Sequence, residues 1–279
     1  MAYKPPVNMT DKIMQSANHR ADRLGGSAIH MLSEIRSAYQ LISGVLLAGI
    51  RMQWISKPAV TNVVFRQVYF TGVEGVPWVV MVALGVGVLS VYNIVDFARS
   101  IQDMSLIGQL ISDLLVTELA PLIVTILLLS RSGVAVVTEL GTMHVRGEDL
   151  TLSSMGISKA EYLLWPRLMA FTLCGLILTF IFVFVSIWLG GLLVSMNEEI
   201  NFIDFLIEVR RGTTMEEIAT LLLKGTLYPM LSAIMLLNMG CKVGREPNLI
   251  PVYATQGVLG SLMLVVMSDA LIALIMGLM

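Results

Sequence analysis

Residues 113–146 read DLLVTELAPLIVTILLLSRSGVAVVTELGTMHVR, an apolar run long enough for a membrane helix that carries Glu118, Arg131 and Glu139, with Pro121 as an expected break in the helix. Charge inside a bilayer is costly enough to require a partner or a task. As one helix, 113–143 is roughly 45 Å long against a hydrocarbon core of about 30 Å, so it must tilt or continue into water. Five runs of this kind occur, near 68–95, 114–143, 163–196, 218–241 and 252–279. With 56% hydrophobic and 14% charged residues, the chain cannot hide so much apolar surface in a water-soluble core. The fold class expected is an all-α polytopic membrane protein with five transmembrane helices.

The basic residues divide unevenly between the connections. Lys4, Lys12, Arg20, Arg23, Arg36, Arg51, Lys57 and Arg66 precede or open the first span, Arg146, Lys159 and Arg167 surround the second loop, and Lys242 and Arg245 follow the fourth span. The other side holds Arg99, Arg210 and Arg211 among Asp96, Asp103, Glu198, Glu199, Asp204 and Glu208. The positive-inside rule therefore places the N-terminus in the cytoplasm and the C-terminus outside. The cations are too dispersed for a nucleic-acid surface. Cys174 and Cys241 fall in different spans and read as reduced packing residues.

Three regions follow along the chain. Residues 1–26 form a polar cytoplasmic arm, 27–56 an interfacial helix, and 57–279 the five-span domain. Ile29, Leu32, Ile35, Tyr39, Ile42, Leu46 and Ile50 recur at helical spacing opposite Ser33, Glu34, Ser37 and Gln40. That helix either lies along the cytoplasmic leaflet or packs beneath the bundle. In the first span Gly72, Gly75, Gly85 and Gly87 allow close helix approach. Near 146–156 a short helix is expected, with Glu148 and Asp149 at its positive end, Leu150, Leu152 and Met155 as an apolar edge, and Gly156 as its stop. It is either a handle for a cytoplasmic partner or an ordinary surface turn. Near 199–212, Ile200, Ile203, Leu206 and Ile207 predict a helix resting on the outer surface, and Thr214 with Glu217 reads as a capping box opening the fourth span.

Several chemistries have no residues to carry them. There is no phosphate-binding GxxxxGK[ST] loop, no recognisable Ser, His and Asp constellation, and His19, His30 and His144 show no metal-ligand spacing. The chain is expected to hold no catalytic residues, no metal and no cofactor of its own. By depth, Glu118, Lys224 and Asp269 all fall in the outer half of the bilayer and can converge. They are either a buried ion network that fixes helix packing or a polar spot receiving the anionic head of an amphiphile. Arg131 lies thirteen residues beyond Glu118, roughly 20 Å along the same helix, so its partner is expected to be Glu74 or the cytoplasmic boundary.

The segments TELAPLIVTILLLSRSGVAVVTELGTMHV and EDLTLSSMGISKAEYLLWPRLMA, with IWLGGLLV and LVVMSDALIALIMG, resemble the MlaE/YrbE permease family, membrane subunits of ABC-type lipid transporters that work with MCE proteins. The resemblance implies a homodimer in a bacterial inner membrane, bound below by a separate ABC ATPase dimer that uses ATP and Mg, and above by an MCE-protein ring. It implies phospholipid as cargo, a coupling helix at 146–156 that docks on the ATPase, and an acidic position at Asp269. Glu118 and Pro121 match the family's Glu-Leu-Gly-Pro element, with Ala120 in place of glycine and Thr117 where some relatives carry a basic residue. The rival readings from the residues are an ion- or proton-coupled secondary transporter and a non-transporting membrane scaffold. Five unrepeated spans lack the paired broken helices of the former.

Overall fold

A computed structural model describes residues 58–103, 106–197 and 200–277. The arm expected at 1–26 and the interfacial helix expected at 27–56 lie outside the described residues. Where they are described, the residues form helices and no strand, because in lipid a chain must satisfy its backbone polar groups within each segment.

Seven helices follow in chain order among the described residues. Five are long and apolar enough to cross a membrane: α1 (Val60–Ser100), α2 (Leu106–Val145), α4 (Ala160–Met196), α6 (Met215–Lys242) and α7 (Pro247–Met276). Two short ones lie at opposite ends of the bundle, α3 (Glu148–Ser154) between α2 and α4, and α5 (Phe202–Gly212) between α4 and α6. The spans run longer than the hydropathy limits of 68–95, 114–143 and 163–196. Only the stretch in hydrocarbon must be apolar, whereas the hydrogen-bond ladder continues past it.

α6 is the central span, packed against α2, α4 and α7. It buries Lys224, Tyr228, Ser232 and Asn238 beside Leu221, Leu236 and Leu237, so its polar residues face protein and not lipid. α1 packs on α4. Their approach depends on missing side chains: a Cβ on Gly87 would lie 1.9 Å from Ser186 Oγ, and one on Gly190 would lie 2.7 Å from Val91 Cβ. Gly72 and Gly75 also face α4, at Cys174 and Leu178, but among the described residues a Cβ on Gly85 would meet nothing within 4 Å. Much of α7 stays uncovered, with Met263, Met267, Leu271 and Leu274 exposed.

The spans are not uniform α-helix. α1 contains a tightened turn at Val73–Gly75 and a wide, π-type turn at Ala83–Gly87, and α2 contains wide turns at Ile111–Leu119 and Leu129–Gly133. Such turns concentrate at functional positions, and here they hold Glu74, Glu118 and Arg131. Pro121, expected to break the helix, does not: α2 continues through it, and the wide turns just before it precede a fresh α stretch in which Pro121 occupies the first turn, where no N–H is needed.

α5 forms, but it buries a different face from the one expected. Phe205, Val209 and Gly212 are buried, while Ile203 and Ile207 are exposed. Close approach decides the orientation. A Cβ on Gly212 would lie 2.0 Å from the backbone carbonyl carbon of Gly108 on α2, and Gly191 of α4 leaves room for the Phe205 ring.

Candidate functional site

Lys224 and Tyr228 stand one turn apart on α6 and point the same way. The Lys224 ammonium donates to Glu118 Oε1 at 2.6 Å and to Asp269 Oδ1 at 2.8 Å, while the Tyr228 hydroxyl donates to the same Asp269 oxygen. The three charges predicted to share a depth do meet, and they join α2, α6 and α7. Lys224 is 1% exposed, whereas the side chains of Glu118 and Asp269 are 39% and 23% exposed. The cation is thus enclosed and paired with two carboxylates, and the side chains the cluster leaves partly exposed are those of Glu118 and Asp269. A buried charge persists when it is paired and hydrogen-bonded. Tyr228 was not anticipated, although its position four residues after Lys224 was the available signal.

Two supports hold α6 in place around this cluster. Its capping box forms, with Thr214 N donating to Glu217 Oε2 at 2.7 Å, and Ser112 Oγ of α2 donates to the same oxygen at 2.5 Å. On the opposite side of the cluster Pro229 sits against Gly175 of α4, where a Cβ would lie 2.3 Å from the proline ring.

The other membrane charges pair separately. Arg131 Nη2 meets Glu74 Oε2 at 2.6 Å, Arg131 Nη1 donates to Phe70 O at 3.1 Å, and the guanidinium lies 5.2 Å from the Phe70 ring centroid. Glu139 pairs at 2.8 Å with Arg167, which is buried and also donates to Leu163 O at 2.6 Å. An apolar groove of about 630 Å³ between α2 and α7 is lined by Val134, Thr138, Pro251, Ala254, Thr255 and Val258.

At the far end, α3 begins after Gly147 and closes on Gly156. Gly156 N donates to Ser153 O at 3.1 Å and Ile157 N to Leu152 O at 3.0 Å, the two bonds of a Schellman stop. Leu150 and Met155 are exposed and Leu152 is half-buried. Glu148 is also exposed, 3.7 Å from Arg146. Asp149 departs from the expected surface role: it turns inward to His144 Nδ1 at 2.9 Å and Lys159 Nζ at 2.6 Å. Burial pushes its carboxyl up, but the Lys159 hydrogen bond and the charges of His144 and Lys159 outweigh this and hold it below the ordinary 3.8.

Among the described residues no three His, Cys, Asp or Glu side chains are placed to hold a metal ion, and Cys174 and Cys241 are both free thiols. The arrangement suits binding and positioning within a membrane.

Comparison with known proteins agrees with this architecture. A probable ABC transporter permease protein of Rickettsia prowazekii is 23% identical over 236 residues, covering 84% of this chain and 89% of the relative. A probable ABC transporter permease protein of Synechocystis is 33% identical over 142 residues, half of this chain and 51% of the relative. The intermembrane phospholipid transport system permease protein MlaE of Haemophilus influenzae is 27% identical over 147 residues, 51% of this chain and 56% of that protein. The sequence model described as Permease MlaE matches residues 64–275, and this multi-pass membrane chain belongs to that family of ABC transporter permeases.

Proposed function

We propose that this chain is the membrane subunit of an ATP-driven transporter that moves a phospholipid or a related amphiphile between a bacterial inner membrane and an MCE-protein conduit. The observation that carries the reading is the Glu118–Lys224–Asp269 cluster, a polar spot with two partly exposed carboxylates inside an otherwise apolar bundle. Because Lys224 is enclosed, the head group meets the cluster through its own donors, an amine or hydroxyl, and not by placing a phosphate on the lysine. The family match and the phospholipid-transport name of the Haemophilus relative support the cargo class.

In this reading a separate ABC ATPase dimer hydrolyses ATP with Mg, and it docks on α3 through exposed Leu150 and Met155. α3 then faces the cytoplasm and α5 the MCE ring, with the N-terminus inside and the C-terminus outside, as the basic residues suggest. A second copy of the chain covers the bare face of α7.

Purifying the complex from its native membrane tests the reading. Expected are a copurifying ATPase, nucleotide hydrolysis stimulated by lipid, and loss of the ATPase from a Leu150→Asp, Met155→Asp variant that still folds. Lipid movement driven by an ion gradient without nucleotide would overturn it in favour of a secondary transporter.

A further inference from the structure

Asp149 is the second residue of α3, yet its side chain is 8% exposed. Its Oδ2 accepts from His144, in the last turn of α2, and from Lys159, immediately before α4, while Oδ1 accepts from Leu150 N at 2.9 Å. One carboxylate therefore straps three successive elements together. These are charge-assisted bonds, the stronger class in proteins. A cavity of about 160 Å³ adjoins the strap, and Cys241 of α6 forms part of its wall.

The strap matters because of what flanks it. Gly147 and Gly156 have φ of +72° and +71°, and among the described residues a Cβ on either would meet nothing within 4 Å. Both junctions of α3 are thus left-handed backbone turns in open space, not packed corners. Without a side-chain tie, a helix between two such turns can swivel.

We propose that Asp149 is a positioning residue for energy coupling. It makes α3 a rigid extension of α2 and α4, so that a push received at Leu150 and Met155 moves those spans and does not rotate α3 about its two glycines. α2 also carries Glu118, so the strap joins the docking surface to the polar cluster along one continuous helix. The inference rests on the reading of the chain as an ATP-driven permease and adds a residue that touches neither ATPase nor lipid.

The test uses the whole purified complex in vesicles of phosphatidylethanolamine and phosphatidylglycerol, and measures lipid moved per ATP hydrolysed. Asp149→Asn is expected to keep hydrolysing ATP while lipid moved per ATP falls by about tenfold, the scale of one lost bond to a charged group. Asp149→Glu is expected to recover most of the ratio. A role confined to capping α3 would shift the melting temperature and leave that ratio alone. If Asp149→Asn does not assemble, His144→Gln and Lys159→Gln, at side chains 38% and 42% exposed, each remove one strap and lower the ratio by a smaller factor. The wild-type ratio in Asp149→Asn, or in both single-strap variants, would overturn the proposal. An unmutated complex that moves lipid without consuming ATP would instead overturn the functional reading, so the two failures are distinguishable.

Discussion

The ion clusters at the two ends of the bundle are inverses. Near α5 a buried cation, Lys224, is shared by two carboxylates, one of which also accepts from Tyr228, and the cluster joins three membrane spans. Near α3 a buried anion, Asp149, is shared by His144 and Lys159, and its partners flank a connecting helix. The difference lies in what surrounds them. Losing Lys224 leaves two carboxylates unpaired within the spans, whereas the partners of Asp149 flank a connecting helix at the ends of α2 and α4, where water can satisfy them. The first cluster joins spans to one another, and the second ties a connecting helix to the spans on either side of it.

The largest expected effect breaks the first half of this comparison. Lys224→Met should destabilise the chain by up to about 3 kcal/mol, since the buried cation is removed and its two partly exposed carboxylate partners keep their charge. Denaturant unfolding in mixed micelles measures it. Adding Glu118→Gln and Asp269→Asn should restore most of the stability, because the stranded charges are then gone, but it should not restore lipid movement. A neutral Lys224→Met would remove the distinction between hub and strap.

Asp149→Asn should cost less, about 1–2 kcal/mol in the same assay, because its partners can turn to solvent. The sign of its pH dependence is set by the lowered carboxyl. The folded chain takes up that proton less readily than the unfolded chain, so the stabilisation is complete above the ordinary value of 3.8 and fades as pH falls through the lower folded value. The stability difference between wild type and Asp149→Asn should therefore stay level from about pH 8 to about pH 5 and shrink only in stronger acid.

The smallest effect sharpens the contrast between α3's inward and outward acids. Arg146→Gln removes a pair to Glu148 that is 3.7 Å long and exposed on both sides, and it should change stability by no more than about 0.5 kcal/mol. The same assay that resolves Asp149→Asn should find it silent.

Much of this was legible in the sequence wherever one dimension suffices. Hydropathy placed five spans, and counting residues at about 1.5 Å each brought Glu118, Lys224 and Asp269 to one depth and separated Arg131 from Glu118. The same count left Glu74 or the cytoplasmic boundary as the partner of Arg131, and Glu74 is the one it meets. Rotation about the helix axis was not legible. The wide turns in α2 reset which residues share a face without altering hydropathy, so Pro121 read as a break when the helix continues. α5 exposed Ile203 and Ile207 because its seat is fixed by the Gly108–Gly212 approach, which outweighs the apolar stripe. Asp149 read as an ordinary helix-start acid, since position alone does not reveal that His144 and Lys159 close over it.

The meeting of Gly108 and Gly212 has a mechanical consequence. Main chain lies on main chain there, with no layer of side chains to act as a bearing, so the short helix α5 is not free to roll independently of α2. Any tilt of the second span must reappear as a tilt of the ridge formed by Ile203 and Ile207, and a body seated on that ridge would feel the stroke without ever entering the bilayer.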